Sequence, residues 1–116
     1  MATALGGQLM RAEIAAGAAA LGSAAELARY LGVDRSQVTR AAKGQQSFRG
    51  EPAWRLTALE ATFGALRHVL DEDVIPDWLH GANAHLQGRR PIDVLKVGRV
   101  AEVMSAIEAE RTGSYA

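Results

Sequence analysis

Apolar residues recur along this chain at spacings of three and four, and no stretch alternates strictly between apolar and polar as a half-buried strand would, so the pattern predicts an all-α fold. From Ala4 to about Ala20 an alanine-rich run carries Leu5, Leu9, Met10 and Ile14 as a thin stripe, which predicts a helix despite Gly6, Gly7 and Gly17. Met1 to Thr3 are expected to fray. Leu27, Ala28 and Leu31 then share one face, and Val38, Ala41 and Ala42 share another. Leu56, Leu59, Phe63, Leu66 and Leu70 draw the longest seam and predict a spine helix from about Pro52 to Leu70. That seam is read mainly as core, with a dimer edge open as a second use. Beyond it, Asp71-Glu72-Asp73 makes an acidic hinge, Pro76 opens a short helix, and Trp78 is expected to fill the core. Gln87-Gly88-Arg89-Arg90 makes a turn, Pro91 opens a helix to Lys96, and Val100, Val103, Met104 and Ile107 mark a last helix to about Arg111.

The second and third segments read as a helix-turn-helix. Ser23 with Glu26, and Asp34 with Gln37, have the spacing of two capping boxes, in which side chains satisfy the N–H groups left open at a helix start. Gly32 supplies the left-handed residue that ends one helix and turns the chain, and Gly44 stands ready to stop the next. Arg35, Ser36, Thr39, Arg40 and Lys43 are left outward on the second helix, where they can donate to phosphates and base edges in a major groove. Gln37 and, in the following loop, Arg49 complete the candidate DNA-contacting set. The same pattern also suits an αα-corner with a solvated polar face.

Charge sharpens this picture. The 116-residue chain is neutral overall, yet between Arg29 and Gly50 five bases face Asp34 alone, a local balance of +4. From Asp71 onward eight acids stand against five bases, a balance of −3. A basic stretch confined to the helix-turn-helix is what an electrostatic footprint on operator DNA requires. The length suits one small domain or two half-domains sharing a core, divided as residues 1–70 and 71–116.

Candidate chemistry changes little. Without cysteine there is no disulfide, thiolate metal site or thiol nucleophile. His68, His80 and His85 lack the spacing of a ligand pair on one helical face, and no serine sits in a nucleophile elbow. Gly6-Gly7 follows no strand and precedes no Lys-Ser or Lys-Thr, so it is not a phosphate loop. No apolar run approaches the roughly 20 residues of a membrane span. A soluble, cytoplasmic, non-enzymatic protein without cofactor or metal is expected.

Within the stretch from Asp77 to Gly98, residues Trp78, Leu79, Asn83, Leu86, Gly88, Pro91, Ile92, Asp93, Leu95 and Gly98 form a pattern that resembles the C-terminal toxin-binding domain of the Xre/MbcA/ParS antitoxins. Ala82 stands where the family has proline before the asparagine. With the helix-turn-helix in front, the resemblance spans nearly the whole chain and is strongest to the mycobacterial MbcA-type members. It implies an antitoxin that holds a NAD-consuming RES-domain toxin inactive and represses its own operon. The implied assembly is a homodimer within a larger toxin–antitoxin hetero-oligomer. It further implies that the C-terminal segment Gly113, Ser114, Tyr115 and Ala116 covers the toxin's active-site cleft, supported by Lys96, Arg99 and Arg111. The other reading open at this point is a stand-alone helix-turn-helix regulator whose C-terminal part dimerises or senses a ligand.

Overall fold

The computed structural model describes the backbone of residues 2–113 and the side chains of residues 10–113. Seven α-helices follow one another among them, with no strand. α1 (Ala2–Leu21) packs on α2 (Ala24–Leu31), α3 (Arg35–Ala42), α4 (Gly50–Leu66) and α5 (Ile75–His80). α6 (Pro91–Lys96) meets α2, α4 and α5, and α7 (Val100–Thr112) packs on α4 and α6. A single hydrophobic cluster runs from Ile14 in α1 to Ile107 in α7, so α4 is a spine touched from both ends of the chain.

α1 is helical from Ala2, including two of the residues expected to fray; the Leu5 and Leu9 side chains lie outside the described residues. Ile14, Ala20 and Leu21 are buried. Gly17 has a packing role. A Cβ there would stand 3.0 Å from Leu27 Cδ1 and 3.4 Å from Leu56 Cδ1, so its absence lets α1 lie close on both α2 and α4.

Only one of the two expected capping boxes closes. At Asp34, Gln37 Oε1 accepts the backbone N–H of Asp34 at 2.9 Å. At Ser23 the hydroxyl accepts the Glu26 N–H at 3.1 Å, but the Glu26 carboxylate turns to Arg29 at 2.8 Å instead of reaching back. A guanidinium one turn along offers that carboxylate a charged donor, and the Ser23 N–H does not. Gly32 adopts φ 77°, ψ 35° and returns its N–H to Ala28 O, as the turn requires.

Three further expectations are corrected. α4 starts at Gly50 and stops at Leu66, because from His68 onward the backbone tightens into bonds such as Val69 N–H to Leu66 O, which fold Leu70 back against the core. Ala42 is exposed, leaving Val38 and Ala41 as the core face of α3 while Phe48 of the next loop joins the core. Trp78 is half-buried at the rim, where its indole N–H donates to Glu110 at 2.8 Å; Ile75 and Leu79 do the filling instead. An indole needs a partner for its N–H, and the rim supplies one.

Candidate nucleic-acid and partner interfaces

The polar face of α3 is built by what the helix buries. Val38 and Ala41 anchor it, which leaves Arg35, Ser36, Thr39, Arg40 and Lys43 exposed. Arg49 is exposed beside the buried Phe48, so the loop that carries it is fastened to the core one residue earlier. Among the described residues the side chains of Arg35, Lys43 and Arg49 have no intramolecular partner and are open to an anion. Three of the other candidates are engaged. Gln37 Oε1 serves the cap, Thr39 Oγ1 donates to Arg35 O at 3.1 Å, and Arg40 Nε donates to Gln46 Oε1 at 3.0 Å. Gln37 therefore keeps only its amide N–H groups for a ligand. Arg11 of α1 donates to Lys43 O at 2.9 Å and caps the far end of α3.

One side chain, near the turn that leads into α3, joins α2 to α6. Arg55 of α4, its side chain only 13% exposed, donates from Nε to Lys96 O at 3.1 Å and from Nη1 to Leu31 O at 3.3 Å. Those carbonyls belong to the last residues of α6 and α2, where helices leave acceptors unpaired and a cation is favoured. Lys96 Nζ adds a bond to Arg29 O at 3.1 Å. The Tyr30 hydroxyl donates to Arg55 O at 2.7 Å, and burial pushes its pKa well up. No sequence motif announces Arg55; a basic residue just before the buried Leu56 on the spine was the available signal.

The loop before α6 is organised by Asn83. Its carbonyl accepts from Gly88 N–H at 2.8 Å and from Leu86 N–H at 3.0 Å, and its side chain accepts from His85 N–H at 2.9 Å. Leu86 is thereby buried, and Gln87 takes the left-handed conformation at φ 58°. Arg90 then grips Asp93 through two hydrogen bonds of 2.9 and 3.0 Å, which hold the Asp93 carboxyl below its ordinary range. These residues match a known pattern. Residues 58–113 match the Xre/MbcA/ParS antitoxin C-terminal toxin-binding domain.

The C-terminal part of the chain is thus similar to an antitoxin toxin-binding domain. The fold agrees. One chain of the crystal structure of the M. tuberculosis MbcT–MbcA toxin–antitoxin complex superposes with a TM-score of 0.76 at 24% identity, over 91% of this chain and 96% of that one. No curated relative matches the chain. Within the matched segment, Pro91 opens α6, Ile92 and Leu95 are buried, and Trp78 and Leu79 belong to α5.

The structure spreads the candidate toxin-contacting residues. Lys96 turns toward α2, Arg99 pairs with Glu102 at 3.4 Å, and Arg111 pairs with Glu108. Arg99 and Gly113 flank opposite ends of the 13-residue α7, about 20 Å apart at 1.5 Å per residue, so they do not form one cluster. Gly113 ends α7 at φ 70°; Ser114, Tyr115 and Ala116 lie outside the described residues. Arg89 and Arg99 hold the Glu102 carboxyl below its ordinary range. His80 Nε2 is 3.0 Å from Leu21 O and His85 Nε2 is 3.0 Å from Ser105 Oγ, so both serve local packing. Among the described residues no three His, Asp or Glu gather as a metal site, and no helix is long and apolar enough to cross a membrane.

Proposed function

We propose that this chain is an antitoxin that binds and inhibits a RES-domain toxin which degrades NAD, and that it represses its own operon through α2 and α3. The observation that carries the reading is the match of residues 58–113 to the antitoxin toxin-binding domain. The fold shared with a chain of a toxin–antitoxin complex supports it. In this reading the segment from Gly113 to Ala116 covers the toxin's active-site cleft. Arg35, Lys43 and Arg49 hold operator phosphates, and Ser36, Thr39 and Arg40 face the groove. The antitoxin acts as a dimer in a larger complex in the cytoplasm, without a cofactor and without catalytic chemistry of its own.

Co-expression with the product of an adjacent reading frame, followed by pull-down and a NAD-consumption assay, tests this. The full-length chain is expected to bind the toxin and suppress NAD loss, while a variant lacking Gly113 to Ala116 binds without suppressing. Failure of both forms to bind would leave the stand-alone regulator as the reading. Equal suppression by both would remove the C-terminal segment from the inhibitory contact.

A further inference from the structure

We propose that Arg11 of α1 is a further DNA-contacting residue, which holds a backbone phosphate at the C-terminal end of α3. In the sequence it stands apart from the basic stretch, 32 residues before Lys43. The fold closes that distance. Arg11 Nη2 donates to Lys43 O at 2.9 Å, which sets the head of the side chain against the end of the helix. Gly44 makes the room. A Cβ there would stand 2.6 Å from both Nε and Nη2 of Arg11, so the guanidinium occupies the space that a side chain at this position would fill. Gly44 lies at φ 75°, where glycine is at ease and other residues are strained.

The chemistry left over points to an anion. A guanidinium carries five N–H donors, and the Lys43 carbonyl takes one. Arg11 is exposed, and among the described residues no carboxylate pairs with it, unlike Arg29, Arg90 and Arg111, which each meet an acid one turn away. A bond to a carbonyl fixes the group without cancelling its charge. The place matters as much as the charge. A helix ends in carbonyls that carry a partial negative charge, and phosphate is repelled there. Arg11 covers that end of α3 with a full positive charge beside the exposed Lys43, and the loop that follows leads to the exposed Arg49. The end of α3 that would turn a DNA backbone away thereby accepts one. This contact rests on the operator-binding part of the proposed function and adds to it a residue from outside α2 and α3.

Fluorescence anisotropy of the full chain on two duplexes across a salt series tests the contact, one duplex taken from upstream of its own reading frame and the other of scrambled sequence. A phosphate contact is blind to sequence, so Arg11→Gln is expected to lower the slope of log affinity against log salt by about one unit on both. Arg11→Lys keeps the charge and is expected to keep the wild-type slope. Gly44→Ala displaces the guanidinium and is expected to weaken binding about threefold more in the wild-type background than in Arg11→Gln, since the two changes act on one contact. A helix cap alone behaves otherwise: Arg11→Gln would lower the thermal midpoint and weaken binding with the slope at its wild-type value, and that outcome overturns the proposal. Additive effects of Gly44→Ala and Arg11→Gln overturn it as well. A wild type that binds neither duplex overturns the operator-binding reading and this contact with it. A wild type that binds with a slope Arg11→Gln leaves unchanged overturns this contact alone.

Discussion

Arg55 shows how much a single side chain can hold. Its guanidinium serves two helix ends at once, so Arg55→Met leaves the Leu31 and Lys96 carbonyls without donors, and a loss of about 2–3 kcal/mol is expected in urea unfolding. A loss below about 0.5 kcal/mol would mean that water replaces both bonds. Tyr30→Phe removes only the donor to Arg55 O and is expected to cost about 1 kcal/mol. On the surface, Arg35→Ala and Lys43→Ala remove free cations and are each expected to reduce the salt dependence of operator binding by about one unit of slope. Arg40→Ala is expected to cost about 1–3 kcal/mol if that side chain reads a base. Operator titrations at several salt concentrations separate the two effects, and a flat salt response would remove α3 from the interface. The contrast also marks what was legible. Caps at Ser23 and Asp34 are local and could be read three residues apart, whereas the partners of Arg55 lie 24 and 41 residues away and no local pattern encodes them.

At the level of elements, the heptad-like seam and the proline starts were reliable because burial and missing donors act within one turn. α6 runs from Pro91 to Lys96 as read, and the final helix exceeds its expected end by one residue. Helix ends set by tertiary contact were not legible: the seam through Leu70 is real, but the backbone beyond Leu66 changes its hydrogen bonding to deliver that side chain. The glycines were legible as turns and not as spacers. Gly17 looked like a weakness in α1, yet it sets the distance between α1 and its two neighbours. Gly17→Val is therefore expected to destabilise by about 2 kcal/mol through overpacking, despite valine's better helix propensity. A thermal melt no lower than that of the wild type would show that Leu27 and Leu56 can yield. The candidate DNA face survived as a surface because α3 buries only Val38 and Ala41. The candidate toxin contacts dispersed because charge in a sequence does not say which end of a helix faces what.

For the whole molecule, acid titration has two opposing parts. Burial and the neighbouring Glu60 carboxylate raise the pKa of Glu13 above its ordinary 4.5, so the folded state binds that proton more tightly than the unfolded one. Stability from this group therefore falls as pH rises through the window above 4.5. Asp93, Glu102 and Glu108 are lowered by their arginine partners, so their contribution is present above the ordinary carboxylate range and is lost as pH falls below it. A single expectation follows from these signs: the melting temperature rises slightly on mild acidification and then drops. Glu13→Gln should abolish the rise and leave the drop; a rise that persists in the variant would place its origin elsewhere. A second expectation concerns cooperativity. Trp54 reports on the α4 start and Trp78 on α5, so fluorescence of Trp54→Phe and Trp78→Phe should give coincident unfolding curves if the continuous core makes one unit.

The bond from one guanidinium to two helix ends has a consequence for turnover of the protein in the cell. Digestion entering from the C-terminal side would strip α6 away and, with it, one of the two carbonyls that fix Arg55, loosening the end of α2 and the turn into α3. Digestion from the other side would take away α1 and the face that covers the spine. Either route removes contacts on which the remaining half rests. Under the proposed function, repression and toxin restraint would then have one lifetime between them, and both would end with the first cut into the fold.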